Sequence, residues 1–445
     1  VSSFATRFRT GLWPQRPVVL GLIALTVLGW VLAFLAREQC RLHGWEGAAQ
    51  FQGLCYSDYA HLFGERGLAD RLFPFYTGLP PEQTMEYPAL LAVITGLTSW
   101  AIPGTGFTGA RQLAYFDLNT LLSFGCWLAI VLLVAALMPK RPQAAAMVAI
   151  APGIILNASL NWDLWAVLFM MIGLWCFAKK RPVLAGVFLG LGAAAKLFPF
   201  FALGAVLVVC WRTGKWSVFA RTTSAVIVTW LVVNVPFALT AYTEWSRFYT
   251  FSGDRPVSFS SIWLAVSWIG GSGAFYGILA NASFALLCLG IAWLGLSAGR
   301  RPRLAQLIFL IVAAFVLTNK VYSPQFVMWL IPLYVLARPR WKAFGWWMAA
   351  EVFHWIPVWL NLAIINGADY GAVGNGVVFA WYGAGIAAHS VALIILGVQV
   401  VRDVRDPRRD VVRVDGVDDP LGGPVDLLPD AAAWPMARRV ASGRG

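Results

Sequence analysis

This chain predicts an all-α polytopic membrane protein, and three observations carry that reading. Apolar runs of membrane length recur between residues 17 and 400. The composition is 59% hydrophobic against 12% charged, with a mean hydropathy of +0.68. Lysine and arginine fall in short clusters between the runs. A run of about 20 apolar residues spans a bilayer core as a helix, because a helix satisfies its own backbone groups where no water can. Many of the 23 tryptophans stand at run ends, Trp100, Trp162, Trp263 and Trp341 among them, as an interfacial belt requires. The net charge of +13 raises the question of nucleic acid as a partner. Its scatter over separate turns, with no basic face, argues for no nucleic acid.

Taken in order, residues 1–16 carry Arg7, Arg9 and Arg16 and read as a cytoplasmic N-terminus. Residues 17–36 form the first span, and no small-residue cleavage pattern follows it. It delivers a long first loop, 37–85, to the far side. That loop and its flank gather Glu46, Asp58, Glu65, Asp70, Glu82 and Glu86, a large share of the 21 acids in the chain. Cys40 and Cys55 also lie there, and a disulfide between them fits an oxidising compartment. The next apolar stretch, 88–103, decides the topology. If it crossed, the basic clusters around Lys140, Lys179, Arg212, Arg300 and Arg338 would face outside. Orientation follows the Lys/Arg bias of short loops, so the stretch reads as a re-entrant or interfacial helix.

With that choice the remaining spans fall near 113–137, 144–157, 162–178, 183–196, 197–211, 218–240, 274–298, 304–318, 325–337, 343–366 and 376–400. They make about 12 transmembrane helices with both termini inside. Several are short, with polar far-side ends, which leaves a recessed cavity roofed by the first loop. Residues 17–400 thus form one transmembrane domain. Residues 401–445, rich in Arg, Asp, Pro and Gly, read as a disordered cytoplasmic tail.

Polar residues on the far side are the candidates for chemistry. Asp58 sits soon after a membrane exit, where a carboxylate can deprotonate a bound hydroxyl; the competing reading is a helix cap. His61 shares its face if the segment is helical. Glu86, Tyr87 and Pro88 open the non-crossing helix, and an acid there also suits a helix start electrostatically. Asp163, in Asn161-Trp162-Asp163, begins a span as a cap or as a group facing a cavity. Lys196 ends a Gly/Ala-rich run and breaks the positive-inside pattern. It suits either a lipid phosphate or snorkelling to the interface. Lys320 breaks the rule in the same direction, and Arg247 and Arg255 add cations on that side. Glu351 and His354, at i and i+3, read as a buried polar pair.

In this order and spacing the chain resembles the GT-C membrane glycosyltransferases, and most closely glycosyltransferase family 87, the polyprenyl-phosphate-mannose-dependent mannosyltransferases. The residues that carry the resemblance are Asp58, Tyr87-Pro88, Asn161-Trp162-Asp163, Lys196-Leu197-Phe198-Pro199, Tyr322-Ser323-Pro324-Gln325 and the stretch from Trp329 to Pro332. The resemblance implies Asp58 as catalytic base. Together with the reading of the residues above, it gives Glu86, Tyr87, Asp163, Lys196, Arg247, Lys320, Tyr322, Gln325 and His61 as the expected substrate-binding residues. It also implies an inverting transfer from a polyprenyl-phosphate sugar donor, mannose first and arabinose second, to a glycolipid or glycan acceptor, at the extracytoplasmic face of a bacterial plasma membrane. Membrane lipids are the surrounding partners. No cofactor is called for: lysines can neutralise the phosphate and no compact carboxylate cluster points to a metal, although related folds include metal users. A transporter or flippase of lipid-linked sugars is the rival; such proteins often show repeated halves, and no repeat is visible.

Overall fold

The computed structural model describes residues 14–271, 273 and 275–431. Arg7 and Arg9 of the expected N-terminus, and 432–445 of the expected tail, lie outside the described residues. The helices of a full two turns or more are α1 (Arg16–Leu35), α2 (Asp58–Glu65), α3 (Ala89–Trp100), α4 (Gly109–Leu137), α5 (Asp163–Ala178), α6 (Pro182–Ala195), α7 (Ala202–Thr213) and α8 (Trp216–Thr240). They continue with α9 (Tyr242–Asp254), α10 (Ile262–Gly270), α11 (Phe275–Ser297), α12 (Leu304–Thr318), α13 (Val327–Ala337), α14 (Trp341–Ile365) and α15 (Gly371–Arg405). The strands among the described residues are two short ones, β1 (Ser258–Phe259) and β2 (Val321–Tyr322), paired in parallel.

Among the described residues six helices, α1, α4, α8, α11, α14 and α15, are long and apolar enough to cross a membrane. In α8 and α11 only 17% and 11% of the apolar window is buried within the protein. Apolar surface left bare to that extent calls for lipid around it. The centre is different. Helices α12 and α13 are apolar all round and buried on nearly every face, the pattern of helices enclosed by others. Small residues set the closest approach: α6 lies against α8 at Gly186 and Gly190, where an added Cβ would strike the carbonyls of Thr222 and Val226. Gly here serves backbone contact, as at other tight membrane crossings.

Helix α3 starts and ends against one loop. Beside its first turn Glu86 pairs with Arg66 at 2.8 Å. At its end Trp100 and Arg71 exchange hydrogen bonds of 2.7 and 2.9 Å. Arg111, at the start of α4, donates to the Ala69 carbonyl at 2.7 Å.

Three expectations need correction. The stretch 144–157 is not one helix: it breaks into the turns Pro142–Ala145, Ala146–Ala149 and Pro152–Ile155, because Pro152 has no N–H to continue the ladder. Trp162 is fully buried, packed on Tyr59 and Tyr87 with its N–H donated to Asn119 at 2.7 Å, so it anchors no interface. The residues after Val400 are folded as far as Ala431. Helix α15 runs on to Arg405, with Asp403 on Arg338 at 2.9 Å, and the segment beyond lies across the basic turns, with Asp410 on Arg303 at 2.7 Å. Asp415 meets Arg141, Asp418 meets Arg300, and Asp430 meets Arg212 and Arg301. Composition reads this stretch as disordered because its acids find their partners in distant turns rather than nearby.

Candidate functional site

The placement of Asp58 begins with Arg37, which is 1% exposed. Its guanidinium donates to the carbonyls of Leu54 and Leu156 at 2.6 Å each and to Ser159 Oγ at 3.2 Å. Three neutral acceptors thus satisfy it without a carboxylate, and burial lowers its pKa to about 10. The Cys40–Cys55 disulfide closes the preceding loop, and Trp45 donates to the Cys55 carbonyl at 3.0 Å. Ser57 then does two things. Its Oγ accepts from Tyr59 N–H, capping α2, and donates to the Ser159 carbonyl at 2.7 Å. Asp58 N–H donates to the Leu160 carbonyl at 2.8 Å. The first loop is therefore pinned to the segment leading into α5, and Asp58 opens α2 at that junction.

From there Asp58 faces a cavity of about 610 Å³. Tyr87 Oη donates to Asp58 Oδ2 at 2.5 Å and accepts from Asn161 Nδ2 at 3.2 Å. Asn161 Oδ1 in turn receives the Asp163 N–H at 3.1 Å. Asp163 is completely buried; one oxygen pairs with Lys196 Nζ at 3.0 Å and the other accepts from Trp329 at 2.9 Å. Lys196 Nζ also lies 4.9 Å from the centre of the Tyr87 ring, a cation–π distance. One network thus runs from Asp58 through Tyr87 and Asn161 to the Asp163–Lys196 pair. Burial raises the Asp58 carboxyl above the usual carboxylate range. The phenols of Tyr87 and Tyr56 pull it back, Glu86 pushes it up, and His61 pulls it down.

The other predicted residues fall into two groups. His61, Glu86, Tyr87, Lys196, Lys320 and Gln325 line the same cavity as Asp58. His61 pairs with Glu65 at 3.2 Å, and Glu86 is held by Arg66. Asp163, Arg247 and Tyr322 stand outside the lining. Asp163 acts from behind Lys196. Arg247 lies with its guanidinium 5.3 Å from the Phe251 ring. Tyr322 turns inward, donating to Glu351 at 2.9 Å and stacking on His389 at 4.2 Å; Glu351 also accepts from Trp347 at 2.9 Å, with His354 3.9 Å away. That cluster fixes β2 from beneath and leaves Tyr322 no contact with a ligand in the cavity.

Sequence reasoning gave no role to several lining residues: Tyr56, whose pKa is raised well above normal by burial and then by Asp58, and the walls Phe248, Phe251 and Trp359. Tyr56 is two residues from Asp58 and was legible as a neighbour. The aromatic walls were not, since apolar rings give no signal in an apolar chain. Among the described residues no group of three or more His, Cys, Asp or Glu side chains is arranged to hold a metal ion. No protein-family model matches the chain, and no curated protein matches it in sequence.

Proposed function

We propose that the chain is an inverting glycosyltransferase of the GT-C type, which moves a sugar from polyprenyl phosphate to an envelope glycolipid or glycan. The observation that carries this reading is the cavity itself. It gathers the Asp58 carboxylate, hydrogen-bonded by Tyr87 but with no cation in ion-pair contact among the described residues, into one lining with the cations Arg255 and Lys320 and with Lys196, which Asp163 pairs. A base and cations in one cavity are what an acceptor hydroxyl and a phosphate leaving group require.

In the reaction Asp58 takes the proton of the acceptor hydroxyl, and that oxygen attacks the anomeric carbon. The bond from this carbon to the phosphate oxygen breaks, and the lipid phosphate departs with the electron pair, so configuration inverts. The raised Asp58 carboxyl strengthens it as a base relative to an ordinary aspartate. Phe248, Phe251, Trp329 and Trp359 supply apolar and aromatic surface for the sugar ring and the first isoprene units. The bare apolar faces of α8 and α11 suit a lipid-borne donor. The Cys40–Cys55 bridge suits a loop on the extracytoplasmic side of the plasma membrane. Mannose is the first sugar to test and arabinose the second.

Purified protein incubated with synthetic polyprenyl-phosphate mannose, arabinose and glucose, and a membrane extract as acceptor, tests the reading. We expect one donor to be consumed, with polyprenyl phosphate released and a glycosylated product detected by mass spectrometry. Movement of intact donor across proteoliposomes, with no release of polyprenyl phosphate, would favour a lipid-linked sugar transporter instead.

A further inference from the structure

Lys196 is the residue a sequence reading singles out for the phosphate, and the geometry points elsewhere. Its charge is already taken: Asp163 lies 3.0 Å away with no exposure of its own. Glu86 is likewise paired, with Arg66. With these pairs cancelled, the charged groups on the cavity wall that make no ion pair among the described residues are Asp58, Arg255 and Lys320, with His61 engaged by Glu65.

Arg255 is built for an anion. It follows the end of α9, and its guanidinium lies near two rings, 5.4 Å from Phe251 and 4.7 Å from Phe259. Ring contacts at that range orient a weakly hydrated guanidinium. Among the described residues its side chain makes neither a hydrogen bond nor an ion pair, and it lines the cavity. Lys320 is brought beside it by the β1–β2 pair. Ser258 N–H, three residues after Arg255, donates to the Lys320 carbonyl at 3.1 Å, and Lys320 Nζ donates to the Gly253 carbonyl at 2.6 Å.

We propose that Arg255, with Lys320 beside it on the β1–β2 clasp, takes the phosphate of the lipid donor, and that Lys196 is a positioning residue acting through Asp163 and Tyr87. This deepens the transferase reading and rests on it. A donor phosphodiester carries one negative charge, and the phosphate monoester that leaves gains a second as the anomeric bond breaks. Two cations that make no ion pair among the described residues match that final charge, and the fork of Arg255 can meet two phosphate oxygens at once. The contact therefore strengthens as the bond breaks, which speeds the step as well as holding the donor. Lys196, with its charge spent on Asp163, holds the ring of Tyr87 and so the hydrogen bond to Asp58.

Farnesyl monophosphate, titrated calorimetrically onto the purified full-length protein, separates the roles without any need for turnover. We expect Arg255→Ala to weaken its binding about 10- to 100-fold, and Arg255→Lys to recover part of that loss. The double variant Lys196→Met/Asp163→Asn, which leaves no unpaired buried charge, should bind like wild type while kcat falls. Inorganic phosphate in a parallel titration should bind far more weakly than the farnesyl ester. Wild-type affinity in Arg255→Ala, loss of binding in the double variant instead, or equal affinity for inorganic phosphate would each overturn the proposal. If the wild-type protein binds no farnesyl phosphate at all, the lipid-phosphate reading beneath it fails too.

Discussion

Asp58 is held between influences of opposite sign, and each can be removed singly. Burial and Glu86 push its carboxyl up, while the Tyr87 phenol favours the ionised form. In the proposed reaction Asp58 acts as carboxylate, so transfer should fall as pH drops through the raised pKa, with the acid limb of kcat/KM above the ordinary aspartate range. Tyr87→Phe removes a hydrogen bond to the charged form, so it moves that limb to higher pH. Glu86→Gln removes a neighbouring negative charge, so it moves the limb to lower pH. A pH–rate profile checks both, and shifts in the same direction, or none, would contradict the assignment. Asp58 and Lys196 were legible because a charge on the far side of an apolar chain needs a reason to be there. What could not be read was direction. Nothing in the spacing shows that Asp163 turns to Lys196, or that Tyr322 turns away to Glu351.

At the scale of elements, the first loop is held by one covalent bridge. The Cys40–Cys55 loop spans 15 residues, and closing a loop of that length stabilises by about 3 kcal/mol in the chain-entropy model. Cys40→Ser should lower the melting temperature and reduce turnover, since Arg37 and Ser57 then hold a looser loop; an unchanged melt would contradict this. Helix α3 is the second test. Both its ends meet the first loop, so a Cys at Thr105 should react with an impermeant thiol reagent from the same side as a Cys at Gln52, and one at Lys140 from the other. Cys288 is the one free cysteine only partly buried, and replacing it removes background. Labelling of the Gln52 and Thr105 positions from opposite sides would mean that α3 crosses. Long apolar helices such as α4 and α8 could be read from hydropathy alone. The broken stretch at 142–155 could not, because short buried turns and a buried helix carry the same apolar composition.

For the molecule as a whole, the bundle has a cavity end and a basic end. Helices α12 and α13 connect them: Arg303 and Arg338 flank them at one end, with Asn319 and Gln325 at the other. The segment after α15 ties the basic end together, and its buried link is Arg303–Asp410, at 0% and 1% side-chain exposure. Breaking a buried pair on one side typically costs about 3–5 kcal/mol. Asp410→Asn should therefore lower the melting temperature in detergent more than Asp406→Asn, whose partner Arg409 is 61% exposed; equal effects would contradict the clasp. That clasp was illegible because pairs formed across more than a hundred residues leave no local pattern. The proposed transfer belongs to the other end, where a lipid-borne sugar would meet Asp58. Its most direct test is the rate of transfer from polyprenyl-phosphate sugar by Asp58→Asn, measured beside farnesyl phosphate affinity in the same preparation. Transfer should be abolished while affinity stays at the wild-type value. Transfer near the wild-type rate would contradict it.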